Sequence, residues 1–224
     1  MPRRKTPLVT KEVYHVFNRS IASIPIFERK RECSRFLFAM SFYQNIKPPL
    51  KLSKFNKLSK NEKHEISELL YQKREWFVEI ISYCLMPNHF HIVVKQLVDD
   101  GVKNYLRLVS DSFAHYFNIK NDRGGPLFES RFKAVRIEKD AQLLHVVRYI
   151  HLNPYSSYLV KNLEDLGQYP FSSFPEYIGK AKKEICQKRL VLDHFKIYGK
   201  YKEFVFNQAD YQKSLAKIKH SLMD

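Results

Sequence analysis

In the run Pro87-Asn88-His89-Phe90-His91-Ile92-Val93-Val94, two histidines stand two positions apart among β-forming residues. Side chains alternate along a strand, so His89 and His91 share one face while Phe90, Ile92 and Val94 take the other. Two imidazoles whose backbones lie ~7 Å apart on one face can converge on a divalent metal. The polar face of a half-buried strand gives the same string, and His-x-His alone does not separate the two readings. A second stretch, Ala141 to Asn153, shifts the balance. Its Leu143, Val146, Val147 and Ile150 form the i, i+3, i+4, i+7 stripe of an amphipathic helix. His145, Tyr149 and Asn153 form another stripe at i, i+4, i+8. At ~100° per residue that stripe drifts toward the apolar one, so His145 should lie farthest from the sheet, Tyr149 at the margin and Asn153 nearest. A packed aromatic with a wet hydroxyl is the ordinary fate of such a tyrosine. Asn153, one turn beyond, adds an amide oxygen that completes a candidate His-His-amide metal site.

Two imidazoles and one amide oxygen leave coordination positions open, which suits Mg²⁺ or Mn²⁺ when phosphate oxygens and water fill them. Such an ion polarises a phosphodiester and stabilises a 3′ oxygen as leaving group. Tyr149 Oη would attack phosphorus and become a phosphotyrosine, conserving the energy of the broken bond for rejoining. A phenol with a pKa near ~10 needs a metal, cation or base beside it at neutral pH. His145, one turn before Tyr149, is the possible accessory group, although a helix-surface histidine with no catalytic role is commoner.

The elements that must position these residues are legible in outline. Glu12 to Ser20 is β-branched and aromatic and reads as a strand. Phe36, Leu37, Met40 and Tyr43 fall at helical spacing in a segment from Glu28 to Gln44. Lys47-Pro48-Pro49 then opens a lysine-rich stretch, with Lys51, Lys54, Lys57, Lys60 and Lys63 at every third position, running into a short helix through Leu70. Trp76 to Leu85 and His89 to Leu97 are strands joined at Met86-Pro87-Asn88. Gly101 to Asn121 repeats at three and four and is helical; Phe132 to Glu138 alternates as a strand. Asp140 is placed to cap the tyrosine-bearing helix, which Pro154 ends. The order predicts an α+β domain with a ferredoxin-like antiparallel sheet and helices on one face, followed by a small basic helical tail. Residues 1–178 are expected to form the main domain, with a lysine-rich insertion over 45–75, and residues 179–224 a basic helical extension.

The chain has 224 residues, with 39 Lys+Arg against 23 Asp+Glu, a net charge of +16 and a pI near 9.7. At 44% hydrophobic and 28% charged it has the material for a core and is no disordered polycation. Six glycines, none in a phosphate-loop or dinucleotide string, argue against those folds. Cys33, Cys84 and Cys186 are far apart and odd in number, fitting neither a disulfide framework nor a zinc-cysteine site. The longest apolar run, Trp76 to Pro87, is short and broken by Glu79, so no membrane span or membrane partner is expected. No apolar signal core follows Met1 to Lys5, and the expected location is the cytoplasm, in association with the nucleoid. A positive surplus with 14% aromatic residues points to nucleic acid, with background charge for solubility the competing explanation. Much of the surplus sits in the lysine-rich stretch and in residues 180–224, which carry eleven Lys/Arg against five Asp/Glu.

Five strings in order carry a family likeness: Val13-Tyr14-His15-Val16-Phe17-Asn18-Arg19, Met86-Pro87-Asn88-His89-Phe90-His91, Gly125-Pro126-Leu127-Phe128-Glu129-Ser130-Arg131-Phe132, Tyr149-Ile150-His151-Leu152-Asn153-Pro154 and Tyr169-Pro170-Phe171-Ser172-Ser173. Through them the chain resembles the single-tyrosine HUH transposases, and among these the REP-associated tyrosine transposases and their transposase-like relatives. The resemblance implies an HUH endonuclease fold, with His89 and His91 as the metal pair, Asn153 as the third ligand and Tyr149 as the nucleophile. It implies a DNA transposase, a single-strand nickase and ligase, acting on single-stranded DNA that folds into hairpins, with a 5′-phosphotyrosine intermediate and a free 3′ hydroxyl. The lysine-rich stretch and the tail after Gly179 are not part of the likeness.

A single strand is held by a cationic groove along its backbone and aromatic rings on its bases, at ~1–3 kcal/mol per base. The candidate DNA contacts are Arg3, Arg4, Lys5, Asn18, Arg19, Arg131 and Lys133, with Phe17 or Phe132 as stacking rings. The protein is expected to act as a monomer or homodimer. Two other readings compete: a protein that binds DNA hairpins or structured RNA without cutting, and a metal hydrolase that uses water.

Overall fold

The computed structural model describes residues 7–195 and 198–221, so the candidates Arg3, Arg4 and Lys5 lie outside the described residues. In chain order the elements are β1 (Val13–Arg19), α1 (Lys30–Tyr43), α2 (Leu52–Phe55), α3 (Lys60–Lys73), β2 (Val78–Met86), β3 (His89–Gln96), α4 (Gly101–Lys120), β4 (Lys133–Ile137), α5 (Asp140–Ser156), α6 (Phe174–Tyr177), α7 (Arg189–Leu192), α8 (Tyr198–Phe206) and α9 (Ala209–Ser221). The four strands form one sheet in the order β2-β3-β1-β4, every pair antiparallel. That is the ferredoxin-like order expected of a strand-helix-strand-strand-helix-strand run.

Helices cover both faces of the sheet, which corrects the expectation of one. On one face Phe90 of β3 meets Phe36 of α1 at 5.1 Å, and Phe36 meets Phe113 of α4 edge-on at 5.2 Å. On the other, Tyr149 of α5 meets His91 of β3. The reason is in the strands: β2 and β3 are buried at nearly every position, so each face needs a cover. Gly101 opens α4 where a Cβ would overlap the Phe77 carbonyl oxygen, which lets this helix start close against the sheet.

The lysine-rich stretch is anchored, not loose. An isolated bridge between Asn45 and Trp76 closes its neck, reinforced by bonds from Ile46 N to Glu75 O and Phe77 N to Gln44 O. Leu52 and Phe55, three apart, are buried, and Phe55 packs on Phe38 and Phe42 of α1 at 5.6 and 5.2 Å. Ser59 and Glu62 form a reciprocal capping box that starts α3. The lysines of this stretch stay in water, Lys47, Lys51, Lys54, Lys57 and Lys60 all being exposed.

Beyond α5 the chain returns to the sheet. Phe171 O accepts from Leu85 N and Ser173 N donates to Tyr83 O, so the Tyr169–Ser173 segment runs along the edge of β2. Glu176, buried, takes the backbone N–H groups of Ile185 and Cys186 on one carboxylate oxygen and the Tyr83 hydroxyl on the other. α8 and α9 then pack on α5. No helix among the described residues is long and apolar enough to cross a membrane.

Candidate active site

The alternation read in the sequence puts His89 and His91 on one face, with ring centroids 5.1 Å apart and planes at 83°. Their neighbours Phe90, Ile92 and Val94 are fully buried on the other face. Each histidine has a partner at Nδ1. His89 Nδ1 lies 2.6 Å from Asn88 Oδ1, whose own Nδ2 donates to the Ser23 carbonyl. An amide oxygen only accepts, so His89 carries its proton on Nδ1 and the lone pair of the neutral ring is on Nε2. His91 Nδ1 lies 2.9 Å from His15 Nε2, and the two rings stack at 5.1 Å. Burial pushes the His15 pKa down to about 4, so His15 is a neutral imidazole at physiological pH.

Tyr149 is set by α5 as the helical drift requires. His145 is exposed, Tyr149 is 42% exposed and Asn153 is buried. The Tyr149 ring stands edge-on to His91, centroids 5.7 Å apart and planes at 88°. Burial raises the Tyr149 pKa above its ordinary value, and the Asn153 side chain pulls it partly back. His145 Nδ1 accepts from Arg148 at 2.6 Å. Two details of α5 differ from expectation. Lys139 is the cap residue and makes no side-chain cap bond, with Asp140 already inside the first turn, and Pro154 lies within the helix, which runs on to Ser156.

The helix is pinned by a residue two positions past the tyrosine. His151 is fully buried between α5, the β2-edge segment and α8. Ser173 Oγ, 2.8 Å from His151 Nε2, spends its single proton on the Tyr83 carbonyl and accepts from Tyr83 N. His151 therefore donates from Nε2 and accepts at Nδ1 from the Tyr201 hydroxyl at 2.6 Å. Desolvation holds its pKa down to about 3.

Whether these groups fit a divalent ion turns on Asn153. Its Oδ1 accepts from Gln212 of α9 at 3.3 Å, while its Nδ2 is buried without a hydrogen-bond partner. A half-turn of the amide exchanges the two atoms and puts the oxygen where the nitrogen is unsatisfied, at the loss of one long bond. The two imidazoles on one face, plus this oxygen, are a donor set suited to Mg²⁺ or Mn²⁺. Among the described residues no group of three or more His, Cys, Asp or Glu side chains could hold a metal ion.

The cationic candidates divide by face. Phe17 pairs with His91 across β1 and β3 and with Lys133 across β1 and β4, and the Lys133 ammonium sits 5.9 Å from the Phe17 ring centroid. Arg19, two residues on, pairs with His89 and is exposed. Phe17, Arg19 and Lys133 thus stand with the histidines. Asn18 pairs with Phe90, on the opposite face, and is buried, its amide bonded to the Glu129 carbonyl. Arg131 and Phe132 line a 530 Å³ cavity with Asn18 and α4. His15, Asn88, His151 and Gln212 escaped the sequence reading. Alternation from Phe17 places His15 on the histidine face, and Asn88 adjoins His89; nothing local marks Gln212, which arrives from α9.

An antiparallel ferredoxin-like sheet with two histidines on its third strand, faced by a tyrosine helix, is the kind of architecture that the motif resemblance implied. The comparisons agree with it. The family model described as "Transposase IS200 like" matches residues 52–153, a span that includes His89, His91, Tyr149 and Asn153. A solved structure described as "Structure of the REP associates tyrosine transposase bound to a REP hairpin" is similar in fold, with a TM-score of 0.55 and 18% identity, covering 83% of this chain and 90% of that one. Among curated proteins no sequence matches.

Proposed function

We propose that this protein is a transposase-like enzyme that binds hairpin-forming single-stranded DNA and cuts it through Tyr149. The observation that carries the reading is a half-exposed phenol edge-on to His91, beside His89 and the orphaned amide of Asn153. The family match over 52–153 and a fold like that of a hairpin-bound transposase support it.

Tyr149 Oη attacks the scissile phosphorus; the P–O3′ bond breaks, the 5′ phosphate stays on tyrosine and the 3′ oxygen leaves as a hydroxyl. The proton lost by the phenol balances the one gained by the 3′ oxygen, and attack by a 3′ hydroxyl reverses the step and joins strands. Because burial raises the phenol's pKa, Tyr149 is protonated at neutral pH and needs positive charge nearby. His89, His91 and Asn153 are the residues that would hold a divalent ion, which supplies that charge and neutralises the phosphate. Asn88 and His15 orient the two imidazoles. Phe17, Arg19 and Lys133 offer a stacking ring and two cations on the same face for the strand.

The test is a labelled single-stranded hairpin incubated with the protein and Mg²⁺ or Mn²⁺, resolved under denaturing conditions. A covalent protein–DNA adduct that disappears in Tyr149→Phe is the expected result. Cleavage that survives Tyr149→Phe points to a water-using hydrolase. The bond from Gln212 to Asn153 gives the non-cutting reading its own support, since it occupies the oxygen the metal needs. Tight hairpin binding with no cleavage under either metal would establish that reading instead.

A further inference from the structure

A cavity of about 1690 Å³ lies away from the histidines. It runs between α1, the lysine-rich stretch and α4, along the helices that cover the Phe90 face of the sheet, whereas Tyr149 faces the other. It exceeds the ~300–1,000 Å³ of a typical small-molecule pocket, which points to a polymer.

Its lining is strongly one-signed: seven Lys or Arg residues against the single acid Asp111. Two of the seven are neutralised, Arg107 by Asp111 and Lys120 by Glu32. Arg31, Arg35, Lys47, Lys51 and Lys57 take part in no ion pair among the described residues, and all but Arg35 are exposed. Between these cations lie apolar and aromatic side chains that a monomeric surface would ordinarily cover. Phe38 is 39% exposed, Ile119 is 69% exposed, and the Tyr116 ring carries the Arg35 guanidinium 5.5 Å from its centroid. Two polar atoms here are buried and unsatisfied, Arg35 Nε and Tyr116 Oη. Unpaired cations spaced along a trough, flat rings between them and donors without acceptors are what a phosphate backbone with splayed bases satisfies.

We propose that this groove is a second binding site for an unpaired polynucleotide strand, separated from the Tyr149 site by the sheet. It rests on the reading above only for the class of polymer. The anchored lysine stretch supplies one wall, so its lysines hold phosphates while Phe38 and Tyr116 take bases. The strand can come from the flank of the hairpin substrate or from a separate DNA molecule.

The experiment measures binding of a fluorescein-labelled, hairpin-free dT oligomer by anisotropy over a salt series. It compares the full chain with Lys47→Glu/Lys51→Glu/Lys57→Glu, whose changes are all at exposed positions, and with Phe38→Ala. The triple variant should bind at least ~10-fold more weakly, with a salt slope shallower by about 2, since each lost phosphate contact removes ~0.7 for a single strand. Phe38→Ala should cost ~5-fold or more. Oligomers carrying 5-iodouracil should crosslink to peptides containing Phe38 or Tyr116. A hairpin with a single-stranded tail that binds tighter than a blunt one, with the gain lost in the triple variant, assigns the strand to the substrate's own flank; equal binding of the two hairpins together with groove crosslinks from the free oligomer assigns it to a separate molecule. Unchanged affinity and slope in the triple variant, or crosslinks confined to the histidine face, overturns the proposal. So does displacement by an acidic peptide without oligomer binding, which would mark a protein-docking groove. The Tyr149 adduct on a saturating hairpin should persist in the triple variant, so failure of the groove and failure of the cleavage reading are separate results.

Discussion

A histidine ligand is only as good as the group that fixes its tautomer. His89 receives that from Asn88 at 2.6 Å and His91 is held by His15 at 2.9 Å. Loss of an outer partner of a metal-binding histidine commonly costs ~10–100-fold in metal affinity. Asn88→Ala and His15→Ala are therefore expected to weaken Mn²⁺ binding by about that factor, read by calorimetry without DNA. Hairpin affinity should change little, because neither side chain is a cation; unchanged Mn²⁺ affinity in both variants would contradict the assignment. His89→Ala and His91→Ala should abolish cleavage while largely retaining DNA affinity. The histidine pair and the tyrosine–asparagine helix were legible because both rest on local periodicity, two for a strand and 3.6 for a helix. His15 and Gln212 were not, because their roles arise from pairing between β1 and β3 and from the docking of α9, contacts distant in sequence.

At the scale of elements, the position of α5 is what places Tyr149, and α5 is tied to the β2 edge and to α8 through His151. Replacing this buried side chain removes ring contacts with Phe174 and Tyr177 and leaves the Tyr201 hydroxyl and Ser173 short of a partner. His151→Ala should destabilise the protein by about 3 kcal/mol, measured by chemical denaturation. The same residue makes stability depend on pH. Folded, it takes a proton only at about pH 3, against 6.5 in the open chain, so between those values the unfolded state binds more protons. Stability should be level above about pH 6.5 and fall as the pH drops below it, giving a lower Tm at pH 5 than at pH 7; equal Tm values would contradict the buried neutral state. The strand order followed from the element order. The second layer of helices did not, because burial of both faces of β2 and β3 is signalled only by near-continuous apolar runs that a one-faced strand also tolerates over a short span.

For the whole molecule, a charge of +16 is distributed unevenly. The histidine face presents Arg19 and Lys133, and a much larger unpaired set lines the groove beside α1 and α4. DNA affinity should thus fall steeply and linearly with the logarithm of salt, while the fraction converted to adduct at saturating DNA stays nearly constant. An affinity indifferent to salt would contradict the role given to the charge. Composition alone indicated nucleic acid; it could not indicate that the lysine-rich stretch is held at its neck by Asn45 and Trp76 and docked through Leu52 and Phe55, which turns a solvated charge run into the wall of a cavity. The central claim, that Tyr149 is the nucleophile, is tested most directly by mass spectrometry of the protein after reaction with a hairpin substrate and nuclease and protease digestion. The expected result is the Tyr149 peptide carrying a nucleotide through its 5′ phosphate. A nucleotide on any other residue, or cut DNA whose 5′ ends are free phosphates with no modified peptide, would contradict it.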